Sequence, residues 1–544
     1  MPPRKRTPAG QGELPGISST KEIHNILWAA ADNLRGSMDA AQYKEFVLGL
    51  VFLKYVSDAF AERRAELAAD PELAGISEQR RATFLEEKDE YTEVNVFWVP
   101  QKARWDYISG KASSAEGGVG KLLDDAMSAI MSENPTLTGV LPLVFNRDNV
   151  DQRRLKELVD LISDARFTGH GDRPARDVLG EVYEYFLERF ARAEGKRAGE
   201  FYTPASIVRL IVEILEPYEG RVYDPCCGSG GMFVQASKFV VAHAGRDHSH
   251  DIAIYGQEAN ERTWRLAKMN LAIHSIDPKG VGTRWADTFA DDKLPDLKAD
   301  FVMANPPFNM KKWWRNEQDR RWLYGVPPQA NANYAWLQHI ISKLGDRGSA
   351  GVVLANGSMS SKQNGEDDIR KAIIEADLVA CMIALPGNLF RSTAIPACLW
   401  FLAKDKTPQG GKALTDRRGE TLFIDARNLG TMIDRTERVF TAHDLTKISD
   451  TYHAWRSTKS AKEKGIKYED VPGFCYSASL AEIREHDFIL TPGRYVGAME
   501  TDVDPDAEPV EDRIKRLTKE LYEHLDESAR LDTIVRNQLG RISD

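Results

Sequence analysis

The residues with the most evident chemistry are Asn305-Pro306-Pro307-Phe308, which follow the apolar run Phe301-Val-Met-Ala304. Two successive prolines freeze the backbone and remove two N–H donors, so the nearby carbonyl groups keep one geometry with no local donor competing for them. The Asn305 side-chain oxygen and the Pro306 carbonyl can then accept both hydrogens of a planar amino group, with the Phe308 ring free to stack on the base that carries it. An exocyclic amine conjugated to an aromatic ring is a poor nucleophile, because its lone pair is delocalised. Two placed acceptors favour the pyramidal nitrogen and aim that lone pair, and positioning of this kind is a large catalytic term.

A second constellation lies upstream, in Val222-Tyr-Asp-Pro-Cys-Cys-Gly-Ser-Gly-Gly231. Gly228, Gly230 and Gly231 sit between a strand and a helix and let the backbone approach a ligand closely. Asp224 would repel a pyrophosphate, which sets the segment apart from the dinucleotide fingerprint and suits a ligand with an amino group or positive charge. Taken alone, such a turn is as often structural. The next strand, Ile254-Tyr-Gly-Gln-Glu258, ends in an acid where such folds bind ribose hydroxyls, although Glu258 equally suits a helix N-terminus. Asp287 follows a short extended stretch ahead of the Asn305 turn.

The elements that must carry these residues fall into five segments. Residues 1–18 are rich in Pro, Gly and basic residues and read as a disordered basic arm. Residues 19–170 read as an all-helical domain: Ser19 with Glu22 forms a capping box, and helices are expected over 40–67, 80–90, 119–132 and 151–164. Pro174 opens a further helix running towards Arg192, within a core spanning 171–430. There, strand candidates at 221–223, 252–256, 301–304, 351–355, 378–384, 397–403 and 421–425 alternate with amphipathic helices, which predicts an α/β fold on a mixed, mostly parallel sheet. The last two runs are close enough to form a hairpin. A C-terminal extension is expected at 431–505, and a helix at 506–544 places Ile514, Leu517, Leu521, Leu531, Val535 and Ile542 on a 3-4 spacing that suits either a partner or the protein's own body.

The order of glycine loop, acid, aspartate and Asn-Pro-Pro-Phe resembles the amino-group DNA methyltransferases that use S-adenosylmethionine, specifically N6-adenine enzymes whose cofactor motifs precede the catalytic motif. With Gly199-Glu-Phe-Tyr-Thr-Pro204 and the large helical region, the chain looks like the modification subunit of a type I restriction-modification system over roughly residues 20–500. The resemblance implies a Rossmann-like methyltransferase core. It also implies that Glu200, Phe201, Tyr202, Thr203 and Pro204 line the cofactor pocket, that Asp224, Gly228, Ser229, Gly230 and Gly231 hold the methionine moiety, that Glu258 holds the ribose, and that Asp287 holds the adenine amino group. Asn305, Pro306, Pro307 and Phe308 would then hold the flipped adenine. Cys226, Cys227 and Ser229 stand where the family commonly has Ala, Gly and Thr.

Competing chemistries remain open at this level. Cytosine-N4 enzymes form the same acceptor cluster, usually with Ser at the position of Asn305, and protein-glutamine and RNA-guanine methyltransferases also present a planar amine to such a turn. Cytosine-C5 chemistry is excluded because no Pro-Cys nucleophile follows the glycine loop. Gly117-Gly-Val-Gly-Lys121 lacks the first glycine and the final Ser or Thr of a phosphate loop, and no Cys/His spacing for zinc is visible. No large base-reading domain is present either. The resemblance assigns that task to a separate specificity subunit, beside a second copy of this chain and, as an optional further member, a restriction subunit.

The composition fits. Of 544 residues, 72 are basic and 82 acidic, a net charge of 72 − 82 = −10, which excludes a globally basic nucleic-acid coat but permits a local basic face. Lys311-Lys-Trp-Trp-Arg-Asn-Glu-Gln-Asp-Arg-Arg-Trp322 supplies one, and Lys311, Lys312, Arg315, Arg320 and Arg321 are the expected phosphate contacts. Five scattered cysteines fit a reducing compartment, no apolar stretch is long enough to cross a bilayer, and a cytoplasmic protein is expected.

Overall fold

The computed structural model describes residues 40–71, 75–147, 150–164, 175–194, 203–245, 248, 251–390, 396–498 and 510–543. The basic arm, the Ser19/Glu22 box, Pro174, Glu200, Phe201 and Tyr202 lie outside the described residues.

The helical region is built on Ala40–Ala68, whose run from Phe46 to Val56 is almost entirely buried. Gly118–Glu133 and Gln152–Asp164 match the expected helices. The helix expected over 80–90 is instead two pieces, Glu78–Phe84 and Asp89–Thr92, because Glu86 turns away to pair with Arg64 at 2.7 Å and Arg104 at 2.8 Å. Gly117 adopts φ +85° to open its helix, and Lys121 pairs with Asp125 rather than facing a phosphate site. The helix Ala175–Glu194 packs on both Ala40–Ala68 and the core helix Glu261–Ile273, and Tyr55 Oη donates to the Ile273 carbonyl at 2.9 Å.

The core is one mixed sheet. Its strands are β1 (Gly220–Asp224), β2 (Ile252–Gly256), β3 (Ala299–Ala304), β4 (Leu344–Ala355), β5 (Val379–Ala384), β6 (Ala397–Ala403), β7 (Glu420–Asp425) and β10 (Cys475–Ser479), in the order β10-β7-β5-β6-β4-β3-β1-β2. A separate two-residue ladder joins β8 (Thr431–Met432) to β9 (Arg438–Val439). Every residue of β5 and β6 is buried, as expected of central strands covered on both faces.

One expectation is corrected here and another is extended. The hairpin is not between β6 and β7: β5 lies between them, antiparallel to β6 and parallel to β7. The expected extension from 431 also adds an unforeseen strand, because β10 pairs antiparallel with β7 at the edge of the sheet. The described residues up to Val496 form one compact unit, and those from Gly497 form a second, which holds the helix Val510–Ser543.

The topology places the site. β1 pairs in parallel with β2 on one side and β3 on the other, so the chain leaves β1 in one direction and returns across it. Such a reversal opens a crevice at the carboxyl ends of the strands. Asp224 is the last residue of β1, and Asn305 is the first beyond β3.

Candidate active site

Beyond β1 the chain turns through Pro225-Cys-Cys-Gly-Ser-Gly into the helix Gly231–Ala244. Gly228 has φ +54° and Gly230 φ +80°, both in the region that favours glycine. A side chain begun at Gly228 or Gly231 would meet no protein atom within 4 Å, so open space faces the backbone here. The turn is tied to the end of β2: Gln257 N–H donates to the Asp224 carbonyl at 3.0 Å, Cys227 N–H to the Gln257 carbonyl at 3.0 Å, and Gly228 N–H to Glu258 Oε2 at 3.1 Å. Glu258 Oε1 accepts from Asn260 N–H at 2.8 Å, so this acid braces the loop as well as ending the strand.

A cavity of about 320 Å³ opens against this turn and brings together Thr203, Asp224, Gly228, Ser229, Gly231 and Asn305. Its remaining wall includes residues that sequence reasoning missed: Glu181, Glu184 and Tyr185 on Ala175–Glu194, with Gln235 and Asn270. Glu184 accepts from Lys238 at 2.8 Å and faces His274 at 3.4 Å; burial alone would raise its carboxyl, but neighbouring His274 and the Lys238 ammonium hold it below its ordinary range. Nothing in the local pattern of the Ala175–Glu194 helix marks its acids as site residues. Asn270 did leave a signal, as an amide inside the apolar run Met269-Asn-Leu-Ala-Ile273.

Among the described residues, the other expected cofactor positions, Pro204, Gly230, Glu258 and Asp287, lie outside that wall. Glu258 meets it through Gly228, and Gly230 caps the following helix. Pro204 precedes the helix Ala205–Leu215. Asp287 is exposed, its Oδ1 accepting from Phe289 and Ala290 N–H at 2.8 and 3.0 Å, while neighbouring Ala286 N–H donates to the Glu258 carbonyl at 2.8 Å.

The Asn305 turn is held from both sides. Asn305 Nδ2 donates to Thr203 Oγ1 at 2.8 Å, which leaves Asn305 Oδ1 buried with no hydrogen-bond partner. Pro306 is buried, Pro307 exposed and Phe308 half-buried, with Phe390 packed edge-on at 5.9 Å. Just beyond, Asn309 and buried Asn333 exchange two hydrogen bonds of 3.0 Å, and Ala332 N–H donates to the Met310 carbonyl, so the loop 309–333 is pinched shut at its base.

Electrostatically the cavity calls for a cation. Burial pushes the Asp224 carboxyl up to about 7; the Cys226 N–H, which donates at 2.9 Å, opposes the rise, and the Glu258 charge adds to it. A buried carboxylate destabilised in this way gains most from a positively charged partner. Burial likewise raises the Cys226 and Cys227 thiols, which keeps them protonated.

The loop 309–333 carries the basic stretch. Lys311, Lys312 and Arg320 are exposed, and Arg315 is half-buried, bonded to the Pro327 carbonyl at 2.8 Å and to Glu317 at 2.6 Å. Arg321 must be withdrawn from the expected phosphate contacts. It is 8% exposed, pairs with Asp319, and donates to the Thr288 and Phe289 carbonyls at 2.9 and 2.8 Å and to His339 Nδ1 at 3.1 Å. An arginine has only donors, so His339 accepts at Nδ1 and carries its proton on Nε2, which donates to Tyr223 Oη at 3.0 Å. Burial, Arg321 and Lys343 all keep that imidazole neutral. Arg321 is thus a buried strut, linked through His339 to the Tyr223 hydroxyl.

Comparison with known proteins agrees with this geometry. Residues 174–504 match the family model described as N-6 DNA Methylase, and residues 23–162 match the HsdM N-terminal domain. The chain is 48% identical to the type I restriction enzyme HindI methylase subunit of Haemophilus influenzae, over 81% of this chain and 99% of that one. It is 37% identical to the MjaIX methylase subunit of Methanocaldococcus jannaschii, over 96% and 91%. Among solved structures, the type I restriction-modification methyltransferase subunit from Streptococcus thermophilus superposes with a TM-score of 0.70 at 25% identity, over 88% of this chain and all of that one. The glycine loop and the Asn305 turn lie after adjacent strands of the matched region, and the chain belongs to the N-6 DNA methylase family as a type I restriction enzyme methylase subunit.

Proposed function

We propose that this chain transfers a methyl group from S-adenosylmethionine to N6 of an adenine flipped out of duplex DNA, as the methylating subunit of a type I complex. The observation that carries the reading is the orphaned oxygen of Asn305, a buried acceptor at the end of β3 on the wall of the cavity that Asp224 makes receptive to a cation.

The residues fit the cofactor. Asp224 and the open glycine turn would hold its methionine end, and Glu258 and Asp287 its ribose and adenine. When bound, it supplies a methyl group on a positively charged sulfur. The protein's own part is to receive the base. Asn305 Oδ1 and the Pro306 carbonyl accept the two N6 hydrogens, which draws the lone pair out of conjugation, and Phe308 stacks on the ring. Extrusion of the base is required because N6 cannot be approached in line within the stack. No nucleophile on the protein is needed.

Lys311, Lys312 and Arg320 would meet phosphates beside the flipped base, with Arg315 in support. A specificity subunit would supply the recognition sequence, a second copy of this chain the other half-site, and a restriction subunit the cleavage. No described helix is long and apolar enough to cross a membrane, and the cytoplasm is the compartment this substrate implies.

Incubating the purified complex with radiolabelled cofactor and duplex DNA, then identifying the modified base, tests the reading. N6-methyladenine is expected. Label on cytosine N4, in RNA or in protein would point instead to the competing amino methyltransferases. Asn305→Ala should abolish transfer and leave cofactor binding nearly intact.

A further inference from the structure

Asn270 lies on the helix Glu261–Ile273 among the buried side chains of Leu266, Ala267, Met269 and Leu271, and is itself 1% exposed. An amide so placed must find partners for both of its ends within the protein or in a ligand, because bulk water does not reach it. One end is accounted for: Nδ2 donates to the Ser229 carbonyl at 2.8 Å. That bond also settles which way the amide faces. Turning it over would press Asn270 Oδ1 against the Ser229 carbonyl oxygen, and neither atom carries a hydrogen. The remaining end is therefore Oδ1, and it is buried with no hydrogen-bond partner, in a residue that lines the same cavity as Asp224 and Ser229.

We propose that Asn270 is a cofactor-binding residue whose Oδ1 accepts a hydrogen bond from the α-ammonium group of the methionine moiety, sharing that cation with the Asp224 carboxylate. The proposal rests on the reading of this cavity as the S-adenosylmethionine site. An ammonium group offers three donors and no acceptor, so one carboxylate cannot satisfy it alone. A neutral carbonyl oxygen is the complement the site can accommodate, since a third acid beside Asp224 and Glu258 would add repulsion without adding a needed charge. The two ends of Asn270 then act together. Its nitrogen holds the glycine turn at Ser229, and its oxygen meets the group which that turn admits.

A two-ligand, two-protein cycle separates this role from a purely structural one. The full-length chain is titrated calorimetrically with S-adenosylhomocysteine and with its analogue lacking the α-amino group. For Asn270→Ala, affinity for S-adenosylhomocysteine should fall by about 10- to 100-fold, the range of a hydrogen bond to a charged group. Affinity for the analogue should change less than about threefold. Equal losses for both ligands would mean that Asn270 only props the turn, and no loss for either would mean that a water satisfies Oδ1; each outcome overturns the proposal. If Asn270→Ala does not fold, the same pair of ligands on Asn270→Ser decides the matter. An unmutated chain that binds neither ligand would overturn the cofactor reading itself, which distinguishes that failure from this one.

Discussion

Thr203 Oγ1 accepts a hydrogen bond from Asn305 Nδ2 at 2.8 Å, and this contact joins the segment before the sheet to the turn after β3. In this orientation of the amide the nitrogen faces Thr203 and the oxygen faces the proposed substrate site. With the nitrogen engaged, the oxygen is left as acceptor, the only polarity that suits an incoming amine. On the proposed function, Thr203 is a positioning residue for the Asn305 turn as well as part of the cavity wall.

Removing that contact should affect turnover more than binding. Thr203→Val keeps the shape and loses the hydroxyl, so kcat should fall by about 10- to 100-fold, the scale of a misplaced reacting group. The Kd for S-adenosylhomocysteine should move less than about threefold, and Thr203→Ser should restore most of the rate. Parallel losses in Kd and kcat for the valine variant would instead mark Thr203 as a cofactor contact alone.

The raised Asp224 carboxyl gives cofactor binding a pH dependence of definite sign. Above about 7 the group is ionised and ready for a cation; below it the free protein holds a proton that binding must displace. Affinity for S-adenosylhomocysteine should thus be flat above that point and weaken towards tenfold per pH unit beneath it. The unliganded protein behaves oppositely. Since the native carboxyl binds its proton more tightly than the ordinary value of 3.8, its contribution to stability declines as pH rises from 3.8 through about 7. Ligand should therefore raise Tm more at pH 8 than at pH 6, and Asp224→Asn should remove that difference.

The basic loop divides into a structural and a binding part, and two sets of variants should separate them. Loss of the Arg321 side chain strands the Asp319 carboxylate and two backbone carbonyls in the interior, so Arg321→Leu should destabilise the fold by about 3–5 kcal/mol, read by denaturant unfolding. Lys311→Gln and Lys312→Gln should leave unfolding unchanged. They should weaken DNA binding across all sequences, and the slope of log affinity against log salt should fall by about one per charge removed. Unchanged DNA binding in the double lysine variant would remove this loop from the DNA face.

The contrast between Arg321 and its neighbours shows where sequence reading stops. Motif order and strand ends were legible because they depend on local chemistry: an apolar run, then Asp224 or Asn305, then a breaker. All seven strand candidates appear in the sheet for that reason. Burial of one arginine among five basic residues depends on tertiary partners, the carbonyls of Thr288 and Phe289 and the ring of His339, which no spacing announces. β10 was missed for a related cause. Cys475-Tyr-Ser-Ala-Ser479 is short and half polar, and pairing with β7 makes it a strand. The wall formed by Glu181, Glu184 and Tyr185 is equally non-local, since it exists only once a helix from the other side of the motif packs against the core.

The helix Val510–Ser543 carries the last expectation. At 34 residues it extends about 50 Å, more than an end cap needs. Ile514, Leu517, Leu521 and Leu525 follow one another at spacings of three or four, and all are exposed. Leu525 fills the point at which His524 seemed to interrupt the stripe, so the apolar line is more continuous than first read. Pairs such as Arg516 with Glu520 at 2.9 Å support the helix on its polar side. A long helix with one polar and one apolar side is suited to lie along another helix, and the specificity subunit proposed above is the partner this predicts. Deleting 505–544 should leave S-adenosylhomocysteine affinity unchanged and abolish co-purification with that subunit. Leu517→Asp with Leu521→Asp should do the same without shortening the chain. A truncated chain that still co-purifies would place the docking surface within residues 1–504, and the exposed leucines would then need another explanation.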